Sequence, residues 1–217
     1  MYSIPPLYLI LILSSVSLLP LAVVVTTCFT KISCVLLLTR NALGVQQAPP
    51  NMAIYALSLV LSLYVMAPVW HHAYAVLAGA PDLFDSFDRF VGQVARAVEP
   101  LRAFLHGNTR PSDIDFFVAT ARSIWPKELA DTVSGQDFLV LIPAFMVSEL
   151  TAAFEVGFLI GLPFIVIDLV VQSILLALGM MMMSPVTISL PLKLLLFTLV
   201  EGWTKLISSM VLSYSVN

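Results

Sequence analysis

Residues 138–184 read FLVLIPAFMVSELTAAFEVGFLIGLPFIVIDLVVQSILLALGMMMMS, and this stretch decides the class of the protein. The stretch is predominantly apolar, and its ionisable side chains are Glu149, Glu155 and Asp168. A helix needs only about 20 residues to cross the hydrocarbon core of a membrane. Because one span cannot use so many apolar residues, we expect at least two helical pieces here, broken near residues 148–157 or at Pro163.

The rest of the chain has the same apolar character. Of its 217 residues, 59% are hydrophobic and only 11% are charged, and the mean hydropathy is +0.99. Ordinary soluble domains carry about a quarter charged residues, and a soluble core of this size could not use so much apolar surface without aggregating. The composition therefore indicates a membrane protein and excludes an ordinary cytosolic enzyme and a disordered chain.

Three more apolar segments predict membrane helices. Leu7–Phe29 and Met52–Trp70, the latter with a possible extension to Val76, are each long enough to span, and a last helix is expected from about Pro191 to Tyr214. The chain begins without the basic region and cleavage site of a signal peptide, so we expect Leu7–Phe29 to be retained. The predicted fold class is an all-α, polytopic membrane protein with four nominal hydrophobic spans.

Charge is concentrated between the second and third spans. Residues 82–137 hold nine acidic and six basic side chains, which accounts for the whole net charge of −3. Apolar residues spaced three and four apart predict amphipathic helices there. We expect a bend or an end at Pro100, and a second helix that starts near Pro111 and stops before Pro126.

The positive-inside rule predicts how the chain is oriented. The connection 30–51 contains Lys31 and Arg40 and no acid, so we expect a cytoplasmic loop there and a periplasmic location for the polar segment. The predicted domains are an N-terminal hydrophobic pair (1–80), a polar helical periplasmic domain (81–137) and a C-terminal hydrophobic hairpin with a methionine-rich loop (138–217).

Ionisable groups inside apolar segments are costly and usually face protein, water or a partner. Glu149 and Lys193 are too far apart in sequence to pair within one helix. Their presence indicates an ion pair between hairpin arms or across a subunit interface. A proton relay through Glu149, Glu155 and Asp168 is the alternative, but no histidine accompanies these acids in this half of the chain, and a structural pair is favoured.

Two other patterns predict local contacts. Gly157 and Gly161 are four residues apart, a spacing that lets helix backbones approach closely in lipid, so they predict a helix-packing face. Glu201 and Lys205 have the i,i+4 spacing and order that favour an ion pair on one helix.

The run Met180, Met181, Met182 and Met183 separates the third and fourth apolar regions. On composition alone, flexible apolar filling of a helix end is favoured over a deformable apolar seal, although methionine suits both. The sequence contains no Gly-rich phosphate loop, zinc-type cysteine spacing or nucleophile–base motif. We therefore predict no catalytic residue, cofactor or metal, and expect that the protein is not an enzyme.

Several motifs together resemble the FliP/YscR family, the R-type subunit of the type III secretion export gate. They span nearly the whole chain and are loosest in the polar segment, around His106–Trp125. The absence of a cleavable signal and the short tail resemble the injectisome branch more than the flagellar one. The motifs are Phe29–Lys31, Arg40–Gln47 with Pro50–Asn51, Pro143–Phe145, Ser148–Leu150, Ala153–Phe158, Pro163–Val170, Ala177–Met183, Pro191–Leu194 and Glu201–Trp203.

The resemblance implies a subunit of the bacterial inner membrane. It implies that five copies assemble with S-type and T-type subunits, beside U-type and V-type export components, into a closed-ended channel that admits unfolded secreted proteins. It also implies that Met180–Met183 form a methionine gasket at the pore constriction, which reverses the preference from composition, and that Glu149 and Lys193 form an inter-subunit salt bridge. The alternative function is a small proton-coupled transporter. Neither function involves nucleic acid.

Overall fold

The computed structural model describes residues 14, 17, 20–45, 47–79, 87–180 and 182–214, and the following account concerns these residues. They form helices joined by short turns and contain no strand, which confirms the predicted all-α class. The helices are α1 Pro20–Thr26, α2 Phe29–Ala42, α3 Asn51–Ala78, α4 Phe87–Ala97, α5 Glu99–Gly107, α6 Pro111–Ile124, α7 Lys127–Ala130, α8 Phe138–Ala177, α9 Pro185–Leu199 and α10 Gly202–Leu212.

The long apolar stretch forms a single helix, α8, of 40 residues. The predicted break is wrong, because residues 148–157 and Pro163 are all helical. At 1.5 Å per residue this helix is about 60 Å long, roughly twice the thickness of a hydrocarbon core. Membrane thickness limits the part of a helix that lies in lipid, not the length of the helix, and one proline removes only one backbone hydrogen bond.

By length and hydropathy, α3 and α8 can each cross a membrane alone. The pairs α1–α2 and α9–α10 meet the same criterion only when each broken pair is taken as one span, so the described residues hold two to four candidate spans. Helix α3 starts one residue before the predicted Met52 and reaches Ala78, with Pro68 inside it. The predicted span Leu7–Phe29 lies partly outside the described residues.

The connection expected as a loop at residues 30–51 is mostly the helix α2. Its two cations are buried: Lys31 is 8% exposed and Arg40 is 9% exposed. Lys31 Nζ donates to Ser213 Oγ at 3.0 Å, and Arg40 Nη1 donates to Asn51 Oδ1 at 2.6 Å. Both cations therefore donate hydrogen bonds inside the chain, which the positive-inside argument does not predict.

The last apolar segment is also broken where a single helix was predicted. Helices α9 and α10 meet at a bend of 58°. At the bend Glu201 adopts the left-handed region (φ 54°), and the next residue, Gly202, lies so close to Phe197 that an added Cβ would come within 2.2 Å of its ring. A Gly-specific contact beside a left-handed residue fixes the bend, which apolar length alone could not predict.

The polar segment folds as its pattern predicts. Helix α4 ends at Ala97, and α5 begins at Glu99 with Pro100 in its first turn. Helix α6 begins at Pro111 and stops at Ile124, before Pro126. Proline lacks the N–H that a first turn leaves unpaired, which explains both starts. The part of the expected helix at residues 84–86 lies outside the described residues.

The chain divides into two compact units. The first contains the described residues up to Thr30 and the segment Ser62–Glu149, and the second contains Lys31–Leu61 and Leu150–Tyr214. In the first unit, the Phe104 ring of α5 lies 6.0 Å from the Phe145 ring of α8. There, Ser148 Oγ accepts from the Arg110 N–H at 3.0 Å and donates to the Asp113 carboxylate, which fastens α6 to α8.

Candidate functional site

An ion pair with one buried partner lies in the second unit. Lys193 of α9 is only 5% exposed, and its Nζ donates to Asp168 Oδ2 of α8 at 2.6 Å. The same Nζ lies 3.3 Å from the carbonyl oxygen of Ala42, at the end of α2. A charge-assisted bond of this length is among the stronger polar contacts in proteins. One cation therefore ties three helices together.

The spacing of α9 explains why Lys193 faces inwards. Ser189, Lys193 and Phe197 are each four residues apart and are all buried, so they form one stripe of the helix. Phe197 packs on Phe164 of α8, with ring centres 6.1 Å apart, and on Trp203 of α10 edge to face at 5.2 Å. With Leu43 these aromatic rings form the apolar core beside the ion pair.

The two glycines predicted as a packing face lie against α2. A Cβ added at Gly157 would meet Leu38 Cδ1 at 2.4 Å and Leu38 Cβ at 3.0 Å, and one at Gly161 would lie 3.9 Å from Ala42 Cβ. The absent side chains let the two helices approach closely along this face. The approach also brings the end of α2, and with it the Ala42 carbonyl, towards α8.

The other predicted acids lie elsewhere on α8. Glu149 is 2% exposed and belongs to the first unit, whereas Glu155 is exposed and belongs to the second. The structure brings Asp168 to Lys193 within one chain, a pairing that the sequence did not predict. The predicted pairing of Glu149 with Lys193, between hairpin arms or across a subunit interface, stays a prediction.

The methionine run forms an exposed turn. Helix α8 ends in a Schellman motif: Gly179 has φ +73°, its N–H donates to the Leu176 carbonyl, and the Met180 N–H donates to the Leu175 carbonyl. Helix α9 then begins at Pro185, after Ser184. Glycine thus stops α8 immediately before the methionines, which places them at the tip of the α8–α9 hairpin.

The described methionines of this turn lie open to their surroundings. Met182 is fully exposed, while Met180 and Met183 are 39% and 44% exposed. Met181 lies outside the described residues. Exposed apolar side chains at a helical tip need something apolar to contact, because water alone would penalise them. The turn is therefore a candidate contact surface rather than part of the fold's own core.

Two residues of the site escaped the sequence analysis. Gly179 carried a signal, because glycine just past an apolar helix and before Ser-Pro is typical of a helix end. Ala42 carried none, since it contributes a backbone carbonyl that only the fold brings near Lys193. The Glu201–Lys205 ion pair predicted from spacing does not form among the described residues, because Glu201 stands in a left-handed conformation before α10 begins.

No group of three or more histidine, cysteine or carboxylate side chains in the described ranges could hold a metal ion. Cys28 is buried and Cys34 is partly buried, and neither takes part in a disulfide bond among the described residues. The described residues therefore present two candidate functional features. One is the Lys193–Asp168 ion pair, which joins α8 and α9, and the other is the exposed methionine turn between these helices.

Comparison with known proteins shows which family has this architecture. The model of the FliP family matches residues 12–210, nearly the whole chain. The chain belongs to the FliP family. It is 52% identical over 209 residues to the Yop proteins translocation protein R of Yersinia pestis, with 95% of each chain covered. It is 48% identical over 209 residues to the harpin secretion protein HrcR of Erwinia amylovora, with 96% of each covered.

A third relative is the virulence protein YscR of Salmonella typhimurium, 45% identical over 217 residues with 97% of each chain covered. These FliP-family relatives are R-type proteins of the injectisome branch, as the sequence motifs indicated. This FliP-family chain is thus a type III secretion protein that serves protein export, and its apolar helices suit the inner membrane. Membership of this apparatus implies assembly with other export components.

Proposed function

We propose that this chain is a channel-forming subunit of the type III export gate and conducts unfolded secreted proteins across the bacterial inner membrane. The observation that carries the proposal is the exposed methionine turn at the tip of the α8–α9 hairpin. Several copies arranged around an axis would bring several such turns together. Their side chains are unbranched, apolar and flexible, so they can fit an irregular closed surface.

The proposed mechanism is passive. With no substrate present, the methionine turns contact one another and exclude water and ions. An entering polypeptide displaces them, and their flexible side chains re-form contacts around chains of different sequence. The closed hairpin base, held by Lys193 and Asp168, keeps the turns in position. The subunit itself hydrolyses nothing, and the energy for transport comes from other components.

The proposed assembly follows the family resemblance. Five copies join S-type and T-type subunits and contact U-type and V-type components, with the polar segment 82–137 in the periplasm. Exposed leucine, valine and phenylalanine side chains along α8 and α9 support burial against neighbours or lipid. The transporter alternative is not favoured, because Asp168, one of its proposed carriers, is bound by Lys193.

Replacing Met180, Met181, Met182 and Met183 together by alanine tests the seal. We expect the complex to assemble normally and the membrane to leak small ions, because alanine lacks the length to close the constriction. Ion flux into cells or vesicles that contain the complex measures the leak. Met52→Ala removes a methionine that is 79% exposed on α3 and should cause none. A quadruple variant as tight as the wild type would reject the seal.

A charge exchange tests the inter-subunit pair. Asp168 lies 2.6 Å from Lys193, so its carboxylate would repel a glutamate placed at position 193. All variants of this experiment therefore also carry Asp168→Asn, which removes that repulsion. Glu149→Lys or Lys193→Glu alone should prevent assembly, because removal of one partner of a buried ion pair costs about 3–5 kcal/mol of stability. The two together should restore it, as measured by native mass spectrometry of the extracted complex. Failure to restore, in an Asp168→Asn background that assembles, would reject the pairing.

A further inference from the structure

A groove in the second unit has no role in the function proposed above. It lies between α8 and the bend of α9 and α10, and its volume is about 530 Å³. Its walls are apolar, with Ile160 and Phe164 on one side and Leu196 and Leu206 on the other. Of the twelve lining residues only Lys205 is ionisable. This volume and this lining are typical of sites for small amphiphilic ligands.

The groove is built by the fold and is not a gap between mobile side chains. The bend at Glu201 and Gly202 turns α10 away from the line of α9, which opens the groove. Gly202 lies against the Phe197 ring, and Trp203 holds that ring edge to face at 5.2 Å. The floor is therefore fixed by aromatic packing before any ligand enters.

Lys205 gives the groove a positive charge. Its side chain is exposed, and none of the described residues supplies a carboxylate partner for its ammonium group. Ser209 lies one helical turn further along α10 and also lines the groove, so a hydroxyl accompanies the cation. An unpaired cation beside an apolar groove complements a molecule that has a negative head and an apolar chain.

We propose that the groove binds an acyl chain of an anionic glycerophospholipid, whose phosphate pairs with Lys205. An unbranched chain gains dispersion contacts with the apolar walls, and a lysine near a membrane surface attracts anionic lipid. Charge complementarity favours this ligand over a second copy of the chain, which would have to bring a carboxylate to the same point. The site concerns the isolated subunit and does not depend on channel formation.

Native mass spectrometry of the purified full chain tests the headgroup contact. The detergent-extracted protein is incubated with equal amounts of phosphatidylglycerol and phosphatidylcholine that carry the same acyl chains. The wild type should retain phosphatidylglycerol preferentially, and Lys205→Met should lower that preference about fivefold. Lys127→Met removes an exposed lysine in α7, outside the groove, and should leave the preference unchanged. An unchanged preference in Lys205→Met would overturn the proposal.

A second pair of variants tests the groove itself. Leu196→Trp fills the groove and should abolish retention of both lipids, whereas Leu199→Trp adds the same ring to a position of α9 that is 73% exposed and does not line the groove. Equal retention by these two variants would overturn the site. So would a Leu196→Cys variant that forms a disulfide-linked, lipid-free dimer, because the occupant would then be a second copy. Should Leu196→Trp fail to fold, the surface change Lys205→Met decides the question alone.

Discussion

The polar segment of residues 87–137 and the apolar segment of residues 138–214 both bury apolar side chains, but they differ in what they expose and in which polar side chains they bury. In the polar segment the buried residues include Phe104, Leu105 and Ile114, and most of the charged side chains are exposed. In the apolar segment Ser148, Glu149, Ser189 and Lys193 are buried beside apolar residues such as Phe145, whereas many other leucine, valine and phenylalanine side chains are exposed. The two segments are built for different surroundings.

The difference shows what organises each segment. Amphipathic helices in water fold by removing their apolar face from solvent, so apolar residues mark the core. A helix that is apolar on every side gains no direction from hydrophobicity, because lipid and neighbouring subunits are equally apolar. Its few polar side chains and glycines then decide which face turns inwards. In α8 and α9 those residues are Gly157, Asp168 and Lys193.

Truncating one phenylalanine in each segment gives the largest expected effect. Phe104→Ala removes a ring that is 3% exposed and packs on Phe145, so it should lower the free energy of unfolding by about 3–5 kcal/mol. Phe158→Ala removes a ring that is 63% exposed on α8 and should change it by less than about 0.5 kcal/mol in the isolated chain. Denaturant unfolding in one detergent measures both. Equal losses would mean that the outward face of α8 is packed as tightly in the isolated chain as the core around Phe104.

Removing one acidic side chain from each segment should give a smaller difference in the free energy of unfolding. Asp168→Asn leaves the buried Lys193 ammonium without its charge partner and should cost about 3 kcal/mol, the lower end of the range because the Asp168 side chain is 41% exposed. Glu99→Gln breaks a 2.8 Å surface pair with Arg102 and should cost less than about 1 kcal/mol.

The double variant Asp168→Asn, Lys193→Met is the control for that comparison. It removes the buried charge together with its partner, so the same unfolding measurement should show it to be more stable than Asp168→Asn alone. A double variant that is less stable, or an Asp168→Asn variant that resembles Glu99→Gln, would mean that the ion pair does not organise the apolar segment.

A glycine in each segment gives the smallest effect, and the two should have opposite signs. Gly157→Ala places a Cβ within 2.4 Å of Leu38 Cδ1 and should destabilise the chain by about 1–2 kcal/mol. Gly92→Ala adds a Cβ in α4 with no atom within 4 Å and should stabilise it by about 0.5–1 kcal/mol. Thermal unfolding of both variants measures the two changes in stability. Stabilisation by Gly157→Ala would reject the close approach of α2 and α8.

Much of the fold could be predicted because its signals are local. Pro100 and Pro111 mark the starts of α5 and α6, since a proline in a first turn costs no hydrogen bond. The span around α3 followed from apolar length. The break expected at Pro163 was wrong because that prediction equated the length of a helix with the thickness of a membrane, and these two quantities are independent.

The candidate site was predicted only in part. The residue types were identified: Asp168 and Lys193 as costly charges, Gly157 as a packing residue and the methionines as an apolar turn. Their partners were not, because Leu38 and the Ala42 carbonyl are more than a hundred residues away in sequence and carry no chemical signal of their own. The i,i+4 spacing of Glu201 and Lys205 led to a wrong prediction of an ion pair, because α10 begins one residue after Glu201.

The sequence by itself determined that this is an all-α membrane protein of the FliP family, where its polar segment lies and where proline starts the helices of that segment. Those properties depend on composition, spacing and local backbone preference. Only the tertiary structure decided that Lys193 bonds Asp168 and Ala42, that α8 runs unbroken and that the bend at Gly202 opens a groove beside Lys205. A nearly uniform apolar surface does not specify which faces meet, so the choice depends on a few distant contacts.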